Sequence, residues 1–201
     1  SVFFIDNNTG WVTTTDGTIY KFSDTTAPTV SSVSSTATDS TYGIGSVIPI
    51  TVTFDESVIV TGTPHLTLET GDTDVVVDYS SGSGSSILTF NYTVALRDSS
   101  GRLLVHSENA LTLNSGTIKD ALGNVAVLEV PHPMASGNLK LYPMLRDKAI
   151  VIDGIVPAIL SITINSDNLF AIVSFNEKIN GGGGGVAVDP KSKLTTTWSS
   201  I

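Results

Sequence analysis

A ten-residue stretch, Asp24-Thr-Thr-Ala-Pro28-Thr-Val-Ser-Ser-Val33, returns in altered form as Asp153-Gly-Ile-Val-Pro157-Ala-Ile-Leu-Ser-Ile162. Asp and Pro each recur at an offset of 129 residues, and the alternating apolar run after Pro falls in the same places. A second landmark follows each copy. Phe54-Asp-Glu-Ser-Val58 becomes Phe175-Asn-Glu-Lys-Ile179 at an offset of 121, so the second copy is 8 residues shorter between the landmarks. A chain that restarts itself in this way is organised as a tandem array, and arrays serve reach or adhesion more readily than chemistry. The expected divisions are a hairpin piece over 1–23, one full unit over 24–153, and the start of a second, incomplete unit over 154–201.

Composition narrows the class. Apolar residues make up 40% and charged residues only 14%, and Ser, Thr and Gly are abundant. That mixture is poor for helices and good for strands and turns. The formal charge of −9 argues against nucleic acid, whose phosphates need Lys and Arg. An acidic surface instead suits solvent or divalent cations. The absence of cysteine excludes disulfides and thiolate metal sites. No apolar run has the length of a membrane span.

Short apolar segments at spacings near ten residues predict an all-β fold, an antiparallel β-sandwich. Val47–Phe54 alternates cleanly, with Ile48, Ile50, Val52 and Phe54 on one face. Pro49 must turn its missing N–H away from the ladder or sit at a bulge. Thr29–Ser35 is expected as an edge strand, Ala37–Gly45 as a polar connection, and Val58–Val60 as a separate short strand. Val75–Tyr79 and Ile87–Val94 predict a hairpin around Ser80–Ser86. Leu103–Val105, Leu111–Leu113, Val125–Val130 and Lys148–Ile152 complete the unit. Leu160–Ile164 and Phe170–Phe175 repeat its first strands, and the five glycines 181–185 disfavour any strand there.

Asn8-Thr-Gly-Trp11 and Asp16-Gly-Thr-Ile-Tyr-Lys21 resemble one blade of the BNR-type β-propellers. Thr51-Val-Thr-Phe-Asp-Glu-Ser-Val58, Thr61-Gly-Thr-Pro-His-Leu-Thr-Leu68, Leu88-Thr-Phe-Asn-Tyr-Thr-Val94 and Leu113-Asn-Ser-Gly-Thr-Ile-Lys-Asp-Ala-Leu-Gly-Asn124 carry a second, broader likeness. They resemble the bacterial Ig-like repeats of large surface proteins, the SwmB-type among them. The chain departs from that pattern at 95–107 and 131–146. The resemblance implies an Ig-like sandwich in an extracellular or bacterial cell-surface protein. It also implies that loops at the unit junctions hold calcium to stiffen the array.

The residues that fit such a set are Asp24, Asp55, Glu56, Asp120, Asn124 and Asp153. Calcium takes six to eight oxygens from carboxylates, amides and carbonyls. Asp55-Glu56 is expected in a loop after a core strand, Asp120 and Asn124 in one turn, and Asp24 and Asp153 at the junctions. Turn chemistry alone also explains Asp120 and Asn124. Asp72 and Asp74 are expected to be solvated. His65, His106 and His132 lack the spacings of zinc motifs, so no zinc or catalytic role is expected. No nucleophile elbow is present. Trp11, Trp198 and Tyr79 are more economically read as packing residues than as sugar platforms.

The leading expectation is therefore a non-catalytic structural or adhesive segment, partnered by neighbouring repeats of its own polypeptide. Calcium is the one cofactor considered. A carbohydrate-binding module with a surface glycan or protein ligand is the first alternative. Self-assembly with other copies by strand donation is the second.

Overall fold

A computed structural model describes residues 2–4, 9–131, 145–164 and 171–176. Gly181–Gly185, Glu177, His132 and Trp198 lie outside the described residues. The chain divides into two compact units, Ser1–Gly154 and Ile155–Ile201.

The first unit opens with β1 (Val2–Phe4), β2 (Thr9–Thr13) and β3 (Ile19–Ser23), a three-stranded antiparallel sheet. Gly17 turns the β2–β3 hairpin at φ 86°, a conformation that glycine adopts without steric cost. Next come β4 (Val30–Ser35), β5 (Ser40–Gly43), β6 (Val47–Thr61), β7 (His65–Glu69), β8 (Val75–Ser81) and β9 (Ser85–Thr93). Four very short strands follow: β10 (Ser99–Ser100), β11 (Leu104–Val105), β12 (Leu111–Thr112) and β13 (Thr117–Lys119). A 3₁₀ turn at Leu145–Asp147 leads to β14 (Ile150–Asp153). No α-helix occurs among the described residues.

The fold is all-β, and its sheets are antiparallel with one exception. The large sheet runs β11-β7-β8-β9-β6-β13, with β12 also on β7 and β4 also on β6. Period-two patterning explains the core. Ile48, Ile50, Val52 and Phe54 of β6 face Leu88, Phe90 and Tyr92 of β9, and all seven are buried. Each such side chain contributes about 1.5–3 kcal/mol by leaving water. Val105 and Ile118, at opposite ends of the sheet path, join the same core as Ile150 and Ile152 of β14. The arrangement is that of a β-sandwich. Pro49 lies opposite Asn91, and its carbonyl accepts the Ser35 hydroxyl at 2.7 Å. Its missing N–H therefore falls on the β4 side, just past the last β4 pair, Ser35 with Ile50.

Four expectations change. The polar stretch Ala37–Gly45 contains β5, which pairs in parallel with β14, Ser40 opposite Ile150. Its partner lies over a hundred residues away, so local pattern could not reveal it. Val58–Val60 is not a separate strand but the far part of β6, so Asp55-Glu56 lies within a continuous strand rather than in a loop. There β6 exchanges partners. Its pairing with β9 is irregular between Thr53 and Val58, and β13 joins it at Ile59–Thr61. Val125–Val130 forms only isolated bridges, Val125 with Lys119 and Val127 with Thr29. Thr117–Lys119, not anticipated as a strand, is β13.

The second unit opens with β15 (Ile159–Ile164) and β16 (Ala171–Phe175), an antiparallel pair. Its register reproduces that of β4 with β6. Val30 opposite Phe54 becomes Ile159 opposite Phe175, and Val33 opposite Val52 becomes Ile162 opposite Val173. The same irregularity recurs, between Val30 and Ser32 and between Ile159 and Ser161. A clasp recurs as well. The Asp55 N–H donates to the Thr29 carbonyl at 3.0 Å, and the Thr29 N–H donates to Asp55 Oδ1 at 2.8 Å. In the second unit the Asn176 N–H donates to the Ala158 carbonyl at 3.0 Å, and the Ala158 N–H donates to Asn176 Oδ1 at 2.6 Å.

Candidate functional site

The partner exchange in β6 gathers acidic groups at one place. Asp55 is held by Thr29, whose hydroxyl donates to Asp55 Oδ2 at 2.6 Å. Asp120 follows β13 and closes a turn on itself: Oδ1 accepts the N–H groups of Leu122 and Asn124, both at 2.8 Å, and Oδ2 accepts the Asn124 amide at 2.6 Å. The same amide reaches the Asp24 carbonyl at 3.3 Å and so ties the linker to the turn. Asp24 in turn accepts the Thr26 N–H at 2.8 Å and the Thr26 hydroxyl.

Electrostatics identify Glu56 as the odd member. Burial, then the carboxylates of Asp120, Asp24 and Asp55, push its pKa above the ordinary glutamate value. Asp24 moves the other way, held low by the Thr26 hydroxyl and N–H. Burial raises Asp120, but the hydrogen bonds from Asn124, Leu122 and Gly123 outweigh it and leave that carboxyl low. Asp24 and Asp120 are thus held in their charged forms near Glu56, whose carboxyl has no hydrogen bond among the described residues. The surplus negative charge is what a hard dication neutralises.

Five of the six anticipated residues, Asp24, Asp55, Glu56, Asp120 and Asn124, are brought together. Asp153 is not. It lies opposite Gly43 and Ser99, at the end of the sandwich where β6 begins and Val94 bonds Ser46.

No family model, curated protein or solved structure matches this chain.

The remaining candidates resolve differently. Trp11 has Lys21 Nζ 5.8 Å from its ring centroid. Tyr79 is engaged in structure: its hydroxyl accepts the Ser83 N–H at 2.8 Å, and its ring meets Phe90 edge-on. A shallow groove of about 410 Å³ runs along β8 and β9 beside it, lined by Val76, Asp78, Ser80 and Asn91 among others. His65 pairs with Asp78 at 3.1 Å and with Asn114 at 2.7 Å. Asp72 is exposed, as anticipated, but Asp74 is not simply solvated. Its Oδ2 lies 2.7 Å from His106 Nδ1, and Glu69 approaches the same nitrogen at 3.8 Å.

Sequence reasoning overlooked this trio. The alternation His65-Leu-Thr-Leu-Glu69 does place Glu69 on the outward face, and Asp74 directly precedes the next strand. What no local signal supplied is that β11 returns to β7, with Val105 opposite Leu68.

Proposed function

We propose that this chain is a non-catalytic structural segment of a large bacterial surface or secreted protein, built from tandem Ig-like repeats that extend or adhere. The observation that carries the reading is the recurrence of register, irregularity and Asp/Asn clasp between the openings of the two units. Two units that begin with the same hydrogen-bonded entry are what a repeated module produces, since each unit must start its core in the same way. The acidic, cysteine-free composition and the absence, among the described residues, of a helix long and apolar enough to cross a membrane accord with it.

Small-angle scattering of a chain carrying several consecutive units tests the proposal. The maximum dimension should grow by a fixed increment with each added unit. A compact particle whose dimension grows only as the cube root of mass would overturn it.

Within this reading the acidic site around Glu56 takes calcium, with Asp24, Asp55, Asp120 and Asn124 as the other oxygen donors. In the absence of calcium, ionised Glu56 opposes folding. Its folded pKa is raised, so the penalty applies in full above that value and disappears below the pKa of the unfolded chain. Glu56→Gln should therefore raise the melting temperature in EDTA at pH 7 by about 1–2 °C, the scale of a screened interaction in a domain of this size. The gain should vanish on acidification through the ordinary glutamate range. Added calcium should raise the melting temperature of the parent protein by mass action and leave Glu56→Gln unmoved. An equal calcium response in both proteins would remove the site.

Self-assembly by strand donation is the second reading. Ile159, Leu160 and Ile162 of the β15–β16 sheet are exposed, and a two-stranded sheet gains from a further partner.

A further inference from the structure

We infer that Glu69, Asp74 and His106 form a binding site for a first-row divalent cation of the zinc type, on the outer face of the sheet and separate from the acidic site around Glu56. The three side chains offer Glu69 Oε2, an Asp74 carboxylate oxygen and His106 Nδ1, all within 4.8 Å of one another.

The fold places them. Val105 pairs with Leu68 and Leu104 with Glu69, so the strand carrying His106 lies beside β7, and the His106 N–H donates to the Thr67 carbonyl at 3.0 Å. Leu66 and Leu68 point into the core, so Thr67 and Glu69 face outward by the period of the strand. Asp74 immediately precedes β8, whose Val75 lies opposite Leu68 on the other side of β7. The end of β7 and the residues directly flanking β8 and β11 therefore each deliver one donor to the same patch. Donors at strand ends are held more firmly than donors on long loops.

Two features point to a cation rather than to an ion pair alone. Asp74 Oδ1 is buried and meets no hydrogen-bond donor, although Oδ2 of the same carboxylate lies 2.7 Å from His106. A buried acceptor without a donor is unfavourable, and a cation coordinated by both oxygens would satisfy it. The separations also bracket what a metal needs. Zinc–nitrogen and zinc–oxygen bonds near 2 Å set neighbouring ligands roughly 3.3 Å apart. The Asp74–His106 distance of 2.7 Å and the Glu69–His106 distance of 3.8 Å stand to either side of that value. Shifts of roughly half an ångström, within reach of side-chain rotation, bring the set into range.

The donor chemistry selects the ion. One imidazole nitrogen with two carboxylates suits zinc and its neighbours in the first transition row, whereas calcium prefers oxygen alone. Two carboxylates also balance the charge of a dication. Ligation through His106 Nδ1 takes the tautomer whose ring proton sits on Nε2, so the metal takes the place of the contact between Nδ1 and Asp74. Water completes the coordination on the exposed side. The bound ion clasps the His106 segment to β7 and to the turn that leads into β8.

Titration of the full chain with zinc chloride, followed by calorimetry and by thermal unfolding, tests the inference. One zinc ion per chain should bind with a Kd on the order of micromolar and raise the melting temperature. His106→Asn and Glu69→Gln should each weaken binding by roughly tenfold or more, with circular dichroism unchanged. His65→Asn should bind as the parent does, and calcium chloride should not compete for the site. Absence of saturable zinc binding up to roughly millimolar concentration, or equal affinity in the parent and His106→Asn, would overturn the site. So would loss of binding in His65→Asn alone.

Discussion

Phe90→Ala is expected to destabilise the first unit by about 3–5 kcal/mol, read as a drop in the urea midpoint at unchanged slope. Phe90 is fully buried on β9 and lies opposite Ile50 of β6 on one side and Tyr79 of β8 on the other. It therefore sits where the three longest core strands meet, with little slack for neighbours to close a void. Its ring also meets Tyr79 edge-on, with centroids 6.1 Å apart and planes at 74°. Such a pair contributes about 0.5–1.5 kcal/mol beyond burial. Tyr79 in turn accepts the Ser83 N–H, at the turn between β8 and β9. The substitution should therefore also speed hydrogen exchange at Ser83 more than at the amides of β4. Since a domain of this kind holds only about 5–15 kcal/mol in total, the variant should lie near the edge of folding. Phe90→Leu, which keeps much of the volume, should cost less than half as much. A loss under about 1 kcal/mol for the alanine variant would mean that this strand junction can collapse around the gap, contrary to the packing described.

The same strands show what the sequence made legible. Ile48, Ile50, Val52 and Phe54 alternate without interruption, and period two assigns them to one face regardless of partner. Their burial was readable because it depends on local geometry alone. The β8–β9 hairpin was readable because its partners are adjacent in the chain. The β5–β14 and β11–β7 pairs were not, since each joins strands separated by long intervals and contributes few residues to any pattern. Of the acidic site, the residue types were readable and the assembly only partly so. Asp120 and Asn124 form a single turn, and Asp55 and Glu56 are neighbours. That β13 and the Asp24 linker both reach the partner exchange in β6 is a property of the pairing. Asp153 was grouped with them because it repeats Asp24 in sequence. Asp24 lies beside Asn124, whereas Asp153 lies opposite Gly43 and Ser99, so likeness in sequence did not bring them to one site. Glu69, Asp74 and His106 were missed for the same topological reason.

The segment 95–107 contains the second large effect. Asp98→Ala should cost about 2–5 kcal/mol, because it strands two donors at once. The Tyr92 hydroxyl donates to Asp98 Oδ2 at 2.7 Å in a buried setting, and the Ala95 N–H donates to the same oxygen at 2.8 Å. Burial, then the Asp98 carboxylate, pushes the Tyr92 phenol far above its usual range, so it remains a donor at any physiological pH. The backbone around Asp98 also holds Gly154, the last residue of the first unit. The Gly154 N–H donates to the Asp98 carbonyl at 2.7 Å, and the Arg97 N–H donates to the Gly154 carbonyl at 2.8 Å. A Cβ at Gly154 would stand 2.2 Å from the Ala95 carbonyl oxygen, which explains why glycine occupies this position where the first copy has exposed Thr25. Asp98→Ala keeps those main-chain bonds, so its direct losses are the two bonds to Oδ2, from the Tyr92 hydroxyl and the Ala95 N–H. Tyr92→Phe separates the two contributions. It keeps the ring and removes one donor, and should cost about 0.5–1.5 kcal/mol. If the hydroxyl–carboxylate bond is the link, the double variant should be less destabilised than the two single losses combined, by about 0.5–3 kcal/mol. Strict additivity would mean that the Asp98 carboxylate acts only through the Ala95 N–H and that the tyrosine is held by packing alone.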